Sequence, residues 1–153
     1  QGLLVASPAA GARVLDFGAG AGVVGISWAV LRPDLSVVLL ESRRKKVSFL
    51  RLAIGELGLA GAEAWEGRGE EPGERAGTFD LVASRGVATD AGTLGAYAAL
   101  LRPGGSLLLF KGPETAASAT ALLRAGRFPN VREHVTLLGE GKRRIHLAAK
   151  LEY

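Results

Sequence analysis

The sequence predicts a doubly wound α/β protein, a mostly parallel sheet with helices on both faces, and three observations carry that prediction. Short apolar runs bounded by glycine, proline or charge recur along the 153 residues, with helical patterns between them. A glycine-rich turn, "LDFGAGAGVVG" (15 to 25), follows the first run directly, where a strand hands over to a helix. The last two runs are separated only by "GEGKR", a hairpin-length connection, so a parallel sheet should end in an antiparallel pair.

Taken in order, the first strand is expected at "RVLDF" (13 to 17), with a helix from Gly22 to Leu31 after the glycine turn. "SVVLLE" (36 to 41) is a continuous apolar run of the kind a strand buried on both faces requires. A helix over Lys45 to Leu57 follows, opened by the cationic "RRKK", and then a strand at "AEAWEG" (62 to 67). "GRGEEPGERAG" (67 to 77) is expected as a surface loop, "FDLVASR" (79 to 85) as the fourth strand, and "GVATDAGTLG" (86 to 95) as a second loop. A helix from Thr93 to Leu101, a strand at "GSLLLFK" (105 to 111) and a helix from Glu114 to Ala125 complete the parallel part. "EHVTLL" (133 to 138) and "RIHLAAKLE" (144 to 152) form the antiparallel tail. All of this fits one domain spanning 1–153.

Composition excludes several chemistries. With no cysteine there is no disulfide framework and no thiolate metal site, and His134 and His146 are too few for most catalytic zinc centres, so no metal is expected. The longest uncharged run, 17 to 31, is broken by four glycines and is not a membrane span. The chain opens without the charged start of a signal peptide, and no membrane partner is expected. A formal net charge of +4 fits a polyanionic partner, though small basic proteins without one are common.

The glycine turn can be read in two registers. From Gly20 it is G-x-G-x-x-G, the dinucleotide pattern; from Gly18 it is G-x-G-x-G behind an acid, as in S-adenosylmethionine enzymes. Asp16 ends the first strand close to where a pyrophosphate would lie and would repel it. S-adenosylmethionine carries an ammonium and a sulfonium and no phosphate, so an acid there is favourable, and the Gly18 register is preferred. Glu41, nineteen residues past Gly22, is placed to accept hydrogen bonds from both ribose hydroxyls of an adenosine, which either cofactor would provide. The antiparallel tail favours a class I methyltransferase, a Rossmann-like fold with seven strands. The alternative for the glycines is a tight strand-to-helix turn without a ligand, and for Glu41 a solvated strand-end acid.

"LDFGAGAGVVGI", "ESRRKKVSFLR", "WEGRGEE", "FDLVASRGVA" and "LLRPGGSLLLFKGP" occur in the order and at the spacings of the RsmG (GidB) family, which this sequence resembles from about Arg13 to Lys150. The resemblance implies a class I enzyme that uses S-adenosylmethionine to methylate N7 of a guanine in a single-stranded loop of bacterial 16S rRNA. It implies a cytoplasmic enzyme whose partner is 16S rRNA or a small ribosomal subunit precursor; a monomer is expected. On the cofactor side it places Asp16, Gly18, Ala19, Gly20, Gly22, Glu41, Ser42, Arg68, Gly69, Glu70, Ser84 and Arg85. The sequence departs from the family pattern at Ala19 and Val23-Val24 in the glycine motif, at Gly69 where alanine is usual, and at Gly86 after Ser84-Arg85. The family's amino-terminal helical region is not in this sequence.

Guanine N7 has a lone pair and no proton, so its methylation needs no general base, and positioning and electrostatics suffice. The sequence offers no Ser-His-Asp or paired-carboxylate arrangement, and both histidines read as structural or surface imidazoles. Arg85 and Lys111, at the ends of adjacent strands, are the catalytic candidates, expected to form one pocket for a base and its phosphate. The bland alternative pairs one of them with Asp80 or Asp90. Arg43, Arg44, Lys45 and Lys46, with Lys142, Arg143 and Arg144 on the hairpin, are candidate RNA contacts or, equally, a solvated face. Trp28 and Trp65 read as core. Three rival functions stay open: a methyltransferase for another acceptor, an RNA-binding module with a vestigial cofactor site, and a dehydrogenase.

Overall fold

A computed structural model describes residues 1–137 and 143–152 and contains seven strands in one sheet. In chain order the elements are α1 (Gly2–Ala6), β1 (Arg13–Phe17), α2 (Gly25–Leu31), β2 (Ser36–Glu41), α3 (Arg44–Glu56) and β3 (Ala62–Glu66). After a 3-10 turn at Gly73–Arg75 come β4 (Phe79–Arg85), α4 (Ala91–Leu100), β5 (Leu101–Lys111), α5 (Pro113–Ala125), β6 (Val131–Leu137) and β7 (Arg143–Lys150). The sheet order is β3-β2-β1-β4-β5-β7-β6. Strands β1 to β5 are parallel, and β7 is inserted antiparallel between β5 and β6, as the short connection requires.

Each strand divides its apolar residues between two cores because neighbouring side chains point to opposite faces. Val14, Val37, Leu39, Leu81, Ala83 and Leu108 pack with Trp28 and Ala29 of α2 and Leu50 of α3. Leu15, Phe17, Val38, Leu40, Val82, Leu107 and Leu109 pack on the other side with Tyr97 and Leu100 of α4 and Ala119 and Leu123 of α5. Most of these side chains are buried almost completely, so this two-sided burial supplies the main folding energy. No helix among the described residues is long and apolar enough to cross a membrane.

The differences from the expected elements have local causes. Helix α2 begins at Gly25 and not at Gly22, because Gly18, Gly20 and Gly22 all adopt left-handed backbone (φ +71°, +60° and +75°) that no helix continues. Strand β5 starts at Leu101, since Phe79 pairs with Leu101 before the register shifts and regular pairing resumes at Leu81 with Ser106. Helix α4 starts at Ala91 inside the segment expected as a loop, where the Asp90 carboxylate caps it by accepting from the Thr93 N–H at 2.8 Å. The loop at 67 to 77 contains the 3-10 turn, and β3 stops at Glu66. Helix α3 starts at Arg44 and α5 at Pro113, a residue early in each case, and β6 starts at Val131. Leu138 and Lys142 lie outside the described residues. Helix α1 was not expected. Trp28 is buried as expected, whereas Trp65 is half-buried at the margin, with the Arg75 guanidinium 5.0 Å above its ring.

Candidate active site

The carboxyl ends of β1 and β2 hold two buried carboxylates on the α2–α3 face. Asp16 is 3% exposed and its Oδ2 accepts the Gly25 N–H at 2.8 Å, at the head of α2. Burial pushes its pKa up to about 6, against the pull of that hydrogen bond and of the Arg85 charge. A Cβ on Gly25 would lie 2.8 Å from Leu39 Cγ and 3.1 Å from Asp16 Cβ, so glycine is what lets α2 approach the strands this closely. Both glycine registers are therefore occupied by structural necessity. Asp16 separates them: its carboxylate already occupies the N–H at the helix head, which a pyrophosphate would need, and repels a second anion.

Glu41 is 7% exposed and ties the loops together. Its Oε2 accepts the Gly20 N–H at 3.1 Å and its Oε1 accepts the Arg43 N–H at 2.9 Å. The strand-end carbonyl of Glu41 accepts the Gly67 N–H at 3.2 Å, and the Ala19 N–H bonds to the Leu40 carbonyl at 2.8 Å. A carboxylate offers about four lone-pair sites, so Glu41 retains capacity for two hydroxyl donors. A Cβ on Gly20 would find only the Gly18 carbonyl oxygen and Lys46 Nζ, each 3.9 Å away, so at Gly20 the loop beside Glu41 is bare backbone, whereas Gly18 packs on Val87 and Gly22 on Ile26 and Leu50. This set fits the adenosine and the cationic tail of S-adenosylmethionine: a diol acceptor, an uncovered backbone and a negative charge beyond it. Ser42 is exposed beside Glu41.

Loop 67 to 70 follows β3 and is tied to the Glu41 strand end by the Gly67 N–H. Gly69 is buried against Phe17, and a Cβ there would lie 2.0 Å from Phe17 Cε2. The Phe17 ring takes the space an alanine would need, which accounts for glycine at this departure from the family pattern. Arg68 and Glu70 are exposed on the loop. Ser84 is buried under the β4 end and donates to the Phe17 carbonyl at 3.1 Å, which locks β4 to β1.

The expected pocket of Arg85 and Lys111 does not form. Arg85 pairs with Phe110 across β4 and β5, so Arg85 and Phe110 share the α2–α3 face while Lys111 turns to the α4–α5 face. Arg85 instead lines a cavity of about 270 Å³ with Trp28, Phe110, Arg144 and His146. His146 is 1% exposed and packs edge-on to Phe110 with ring centroids 5.0 Å apart, a structural imidazole as expected. Lys111 lines a separate cavity of about 450 Å³ and donates to the Val87 carbonyl at 3.0 Å. Neither cation pairs with Asp80 or Asp90. Asp80 accepts from Arg102 Nε at 2.5 Å and from the Arg13 N–H, and Asp90 caps α4.

Of the cations at the start of α3, Lys46 sits 3.8 Å from Glu41 Oε2, so this one faces the cofactor side. Arg43, Arg44 and Lys45 are exposed, as is Arg143. Sequence reasoning did not place Arg144 beside Arg85; the Phe110–His146 pairing that brings it there is a register fact. It also passed over Thr89 and Tyr97, whose hydroxyl oxygens are buried without a well-aligned hydrogen-bond partner among the described residues.

The strand order, the inserted antiparallel β7 and the acids at the β1 and β2 ends define a class I methyltransferase fold. Residues 3–146 match the family model described as rRNA small subunit methyltransferase G (GidB), and the chain belongs to that family. It is 38% identical over 138 residues to "Ribosomal RNA small subunit methyltransferase G" of Moorella thermoacetica, covering 88% of this chain and 53% of that protein. To the protein of the same name from Mycobacterium leprae it is 46% identical over 104 residues, 67% of this chain and 42% of the relative. The chain thus spans about half the length of these curated relatives. Solved structures share the fold, two of which illustrate it. One is a predicted O-methyltransferase of Agrobacterium tumefaciens (TM-score 0.82, 23% identity, 99% of this chain and 81% of that one). The other is the 16S rRNA (adenine(1408)-N(1))-methyltransferase of Catenulisporales acidiphilia (TM-score 0.77, 19% identity, 94% and 87%).

Proposed function

We propose that this chain is the cofactor-binding and catalytic part of an S-adenosylmethionine-dependent methyltransferase that modifies N7 of a guanine in 16S ribosomal RNA. One observation carries the reading. Two buried carboxylates at neighbouring strand ends, Asp16 and Glu41, flank a glycine loop that is open at Gly20, in the fold of the rRNA small subunit methyltransferase G family, and Asp16 fills the position a phosphate-bearing cofactor would need. When bound, S-adenosylmethionine supplies a methyl group activated on a sulfonium.

The residues of the chain bind and orient. Glu41 would accept from both ribose hydroxyls, with Ser42 beside it, while Gly20 would admit the ligand against backbone and Gly18, Ala19 and Gly22 would shape the turn, Gly18 packed on Val87 and Gly22 on Ile26. Asp16 holds a negative charge toward the cationic tail. Arg68, Gly69 and Glu70 would wall the adenine, and Ser84 fixes the β4 end from which Arg85 projects. Guanine N7 offers a lone pair and no proton, so the chain has only to present that atom in line and neutralise the charge around it. Arg85, with Arg144 in the same cavity, would hold the O6 edge or a phosphate of the acceptor nucleotide. Arg43, Arg44, Lys45, Lys142 and Arg143 are proposed phosphate contacts, and Lys46 a partner of Glu41. The substrate is 16S rRNA or a small ribosomal subunit precursor, and the site of action the cytoplasm.

The test is transfer of labelled methyl from S-adenosylmethionine to 16S rRNA that lacks the modification, followed by mapping of the product. Label at guanine N7 that falls at least tenfold with Arg85→Ala supports the reading. Label on another atom or on protein refutes the acceptor assignment.

A further inference from the structure

Lys111 and Thr89 face one cavity, and each lacks something. This cavity lies on the α4–α5 face at the ends of β4 and β5, behind the loop at 86 to 89 and the first turns of α5. Its lining includes Lys111, Thr89, Thr115 and Ser118 and contains no carboxylate. Lys111 has no acidic partner among the described residues; one of its three N–H groups goes to the Val87 carbonyl and two are uncommitted. Burial pushes its pKa down, as expected for a cation partly removed from water without a counter-charge. Thr89 Oγ1 is buried with no hydrogen-bond partner among the described residues. The unpaired ammonium is answered by an anionic oxygen in the cavity, and the orphaned Thr89 hydroxyl, which has almost no exposed surface, could donate to the same atom after a turn about its χ1.

The other hydroxyls refine the ligand. Thr115 Oγ1 donates to the Gly112 carbonyl at 3.3 Å and Ser118 Oγ to the Thr115 carbonyl at 3.1 Å. Their hydrogens are committed, so toward the cavity they offer lone pairs. A group that brings a hydroxyl donor beside its phosphate matches this wall, and a ribonucleotide unit does so through its 2′-OH.

We propose that the Lys111 cavity is a phosphate subsite for single-stranded RNA, holding a backbone phosphodiester of a nucleotide next to the acceptor, on the sheet face opposite Arg85. The proposal rests on the methyltransferase reading for its choice of RNA. It replaces a single two-cation pocket by two grips on opposite faces, so the strand crosses the sheet edge between β4 and β5. The same oxyanion chemistry could come from free phosphate, and the experiment separates the two sources.

The measurement is fluorescence anisotropy of a labelled single-stranded RNA oligomer with the 153-residue chain over a range of salt, with S-adenosylmethionine titrated into the same samples. Lys111→Met keeps the alkyl stem and removes the charge. It is expected to weaken RNA binding about five- to tenfold at low salt, to reduce the log–log salt slope by about 0.7, and to leave S-adenosylmethionine affinity unchanged. Lys111→Arg should restore most of the affinity, and Thr89→Val should weaken binding about two- to threefold without altering the slope. Inorganic phosphate should compete with RNA on the unaltered chain more effectively than sulfate-free chloride of equal ionic strength, and lose that advantage in Lys111→Met. RNA affinity and slope unaffected by Lys111→Met overturn the subsite while the methyltransferase reading stands. Phosphate binding at Lys111 without RNA binding overturns the RNA source. Loss of S-adenosylmethionine binding in the unaltered chain removes the parent reading, whatever Lys111 does.

Discussion

At the β1–β2 end of the sheet, Asp16 and Glu41 are buried and bonded to backbone N–H groups of the loops around them. At the β4–β5 end, Lys111 has no acidic partner and the Thr89 hydroxyl no partner of any kind among the described residues. The first region is satisfied by its own chain and keeps spare acceptor capacity; the second waits for atoms from outside. The contrast teaches that a nucleoside ligand should bind to this chain by itself, on a preformed frame, whereas the acceptor edge reaches its low-energy state only with a substrate seated.

The largest expected effect would break the finished side. Glu41→Ala removes the diol acceptor and strands the Gly20 and Arg43 N–H groups, and should weaken S-adenosylmethionine binding by about a hundredfold in calorimetric titration. Asp16 comes next. Its folded pKa of about 6 lies above the ordinary 3.8, so between those values the folded state holds a proton the unfolded state has released. Its contribution is therefore fully present below about pH 4 and is lost as pH rises through 6, on the order of 2 to 3 kcal/mol. Asp16→Asn should flatten that part of the pH–stability profile and raise Tm near neutrality while weakening the ligand. A variant that loses stability at neutral pH would show that the buried charge is better compensated than its surroundings imply.

Gly69→Ala sharpens the comparison by coupling the loop after β3 to the core. The new methyl meets the Phe17 ring, and a cost of about 1 to 3 kcal/mol in urea unfolding is expected, largely recovered when Phe17→Leu is added. Simple additivity of the two changes would contradict the packing described for this loop. The smallest effect concerns Tyr97, fully buried, whose pKa burial pushes up to about 12 against the pull of the neighbouring Ser84 hydroxyl, with no well-aligned hydrogen bond to its own hydroxyl among the described residues. Tyr97→Phe should stabilise the chain by about 1 kcal/mol by thermal or urea unfolding, because a polar group without a well-aligned partner leaves the core and the edge-on contact with Phe17 remains. Destabilisation would mean the hydroxyl is bonded.

What was legible in the sequence follows from how sharply each feature is written. Strands β1, β2 and β4 fall at their expected bounds because each apolar run is cut off by charge, proline or glycine. That Asp16, the glycines and Glu41 lie together was legible because they sit at neighbouring strand ends in fixed order. The faces of Arg85 and Lys111 were not. In strands buried on both sides the residues before Lys111 are leucine and phenylalanine whichever way they point, so the pattern carries no parity, and only the β4–β5 register supplies it. The start of β5 was hidden by Pro103 and two glycines that read as a turn, and the pairing with β4 does jump over them, from Phe79–Leu101 to Leu81–Ser106. Helix α1 has five residues, too few to show a period.

The central claim is that the β1–β2 end is a complete site for a nucleoside cation and not for a dinucleotide. It is tested most directly by calorimetric titration of the 153-residue chain with S-adenosylmethionine and, separately, with NADH. The account predicts binding of S-adenosylmethionine that is lost in Asp16→Ala, and no heat from NADH. NADH binding, or S-adenosylmethionine binding indifferent to Asp16, would contradict it.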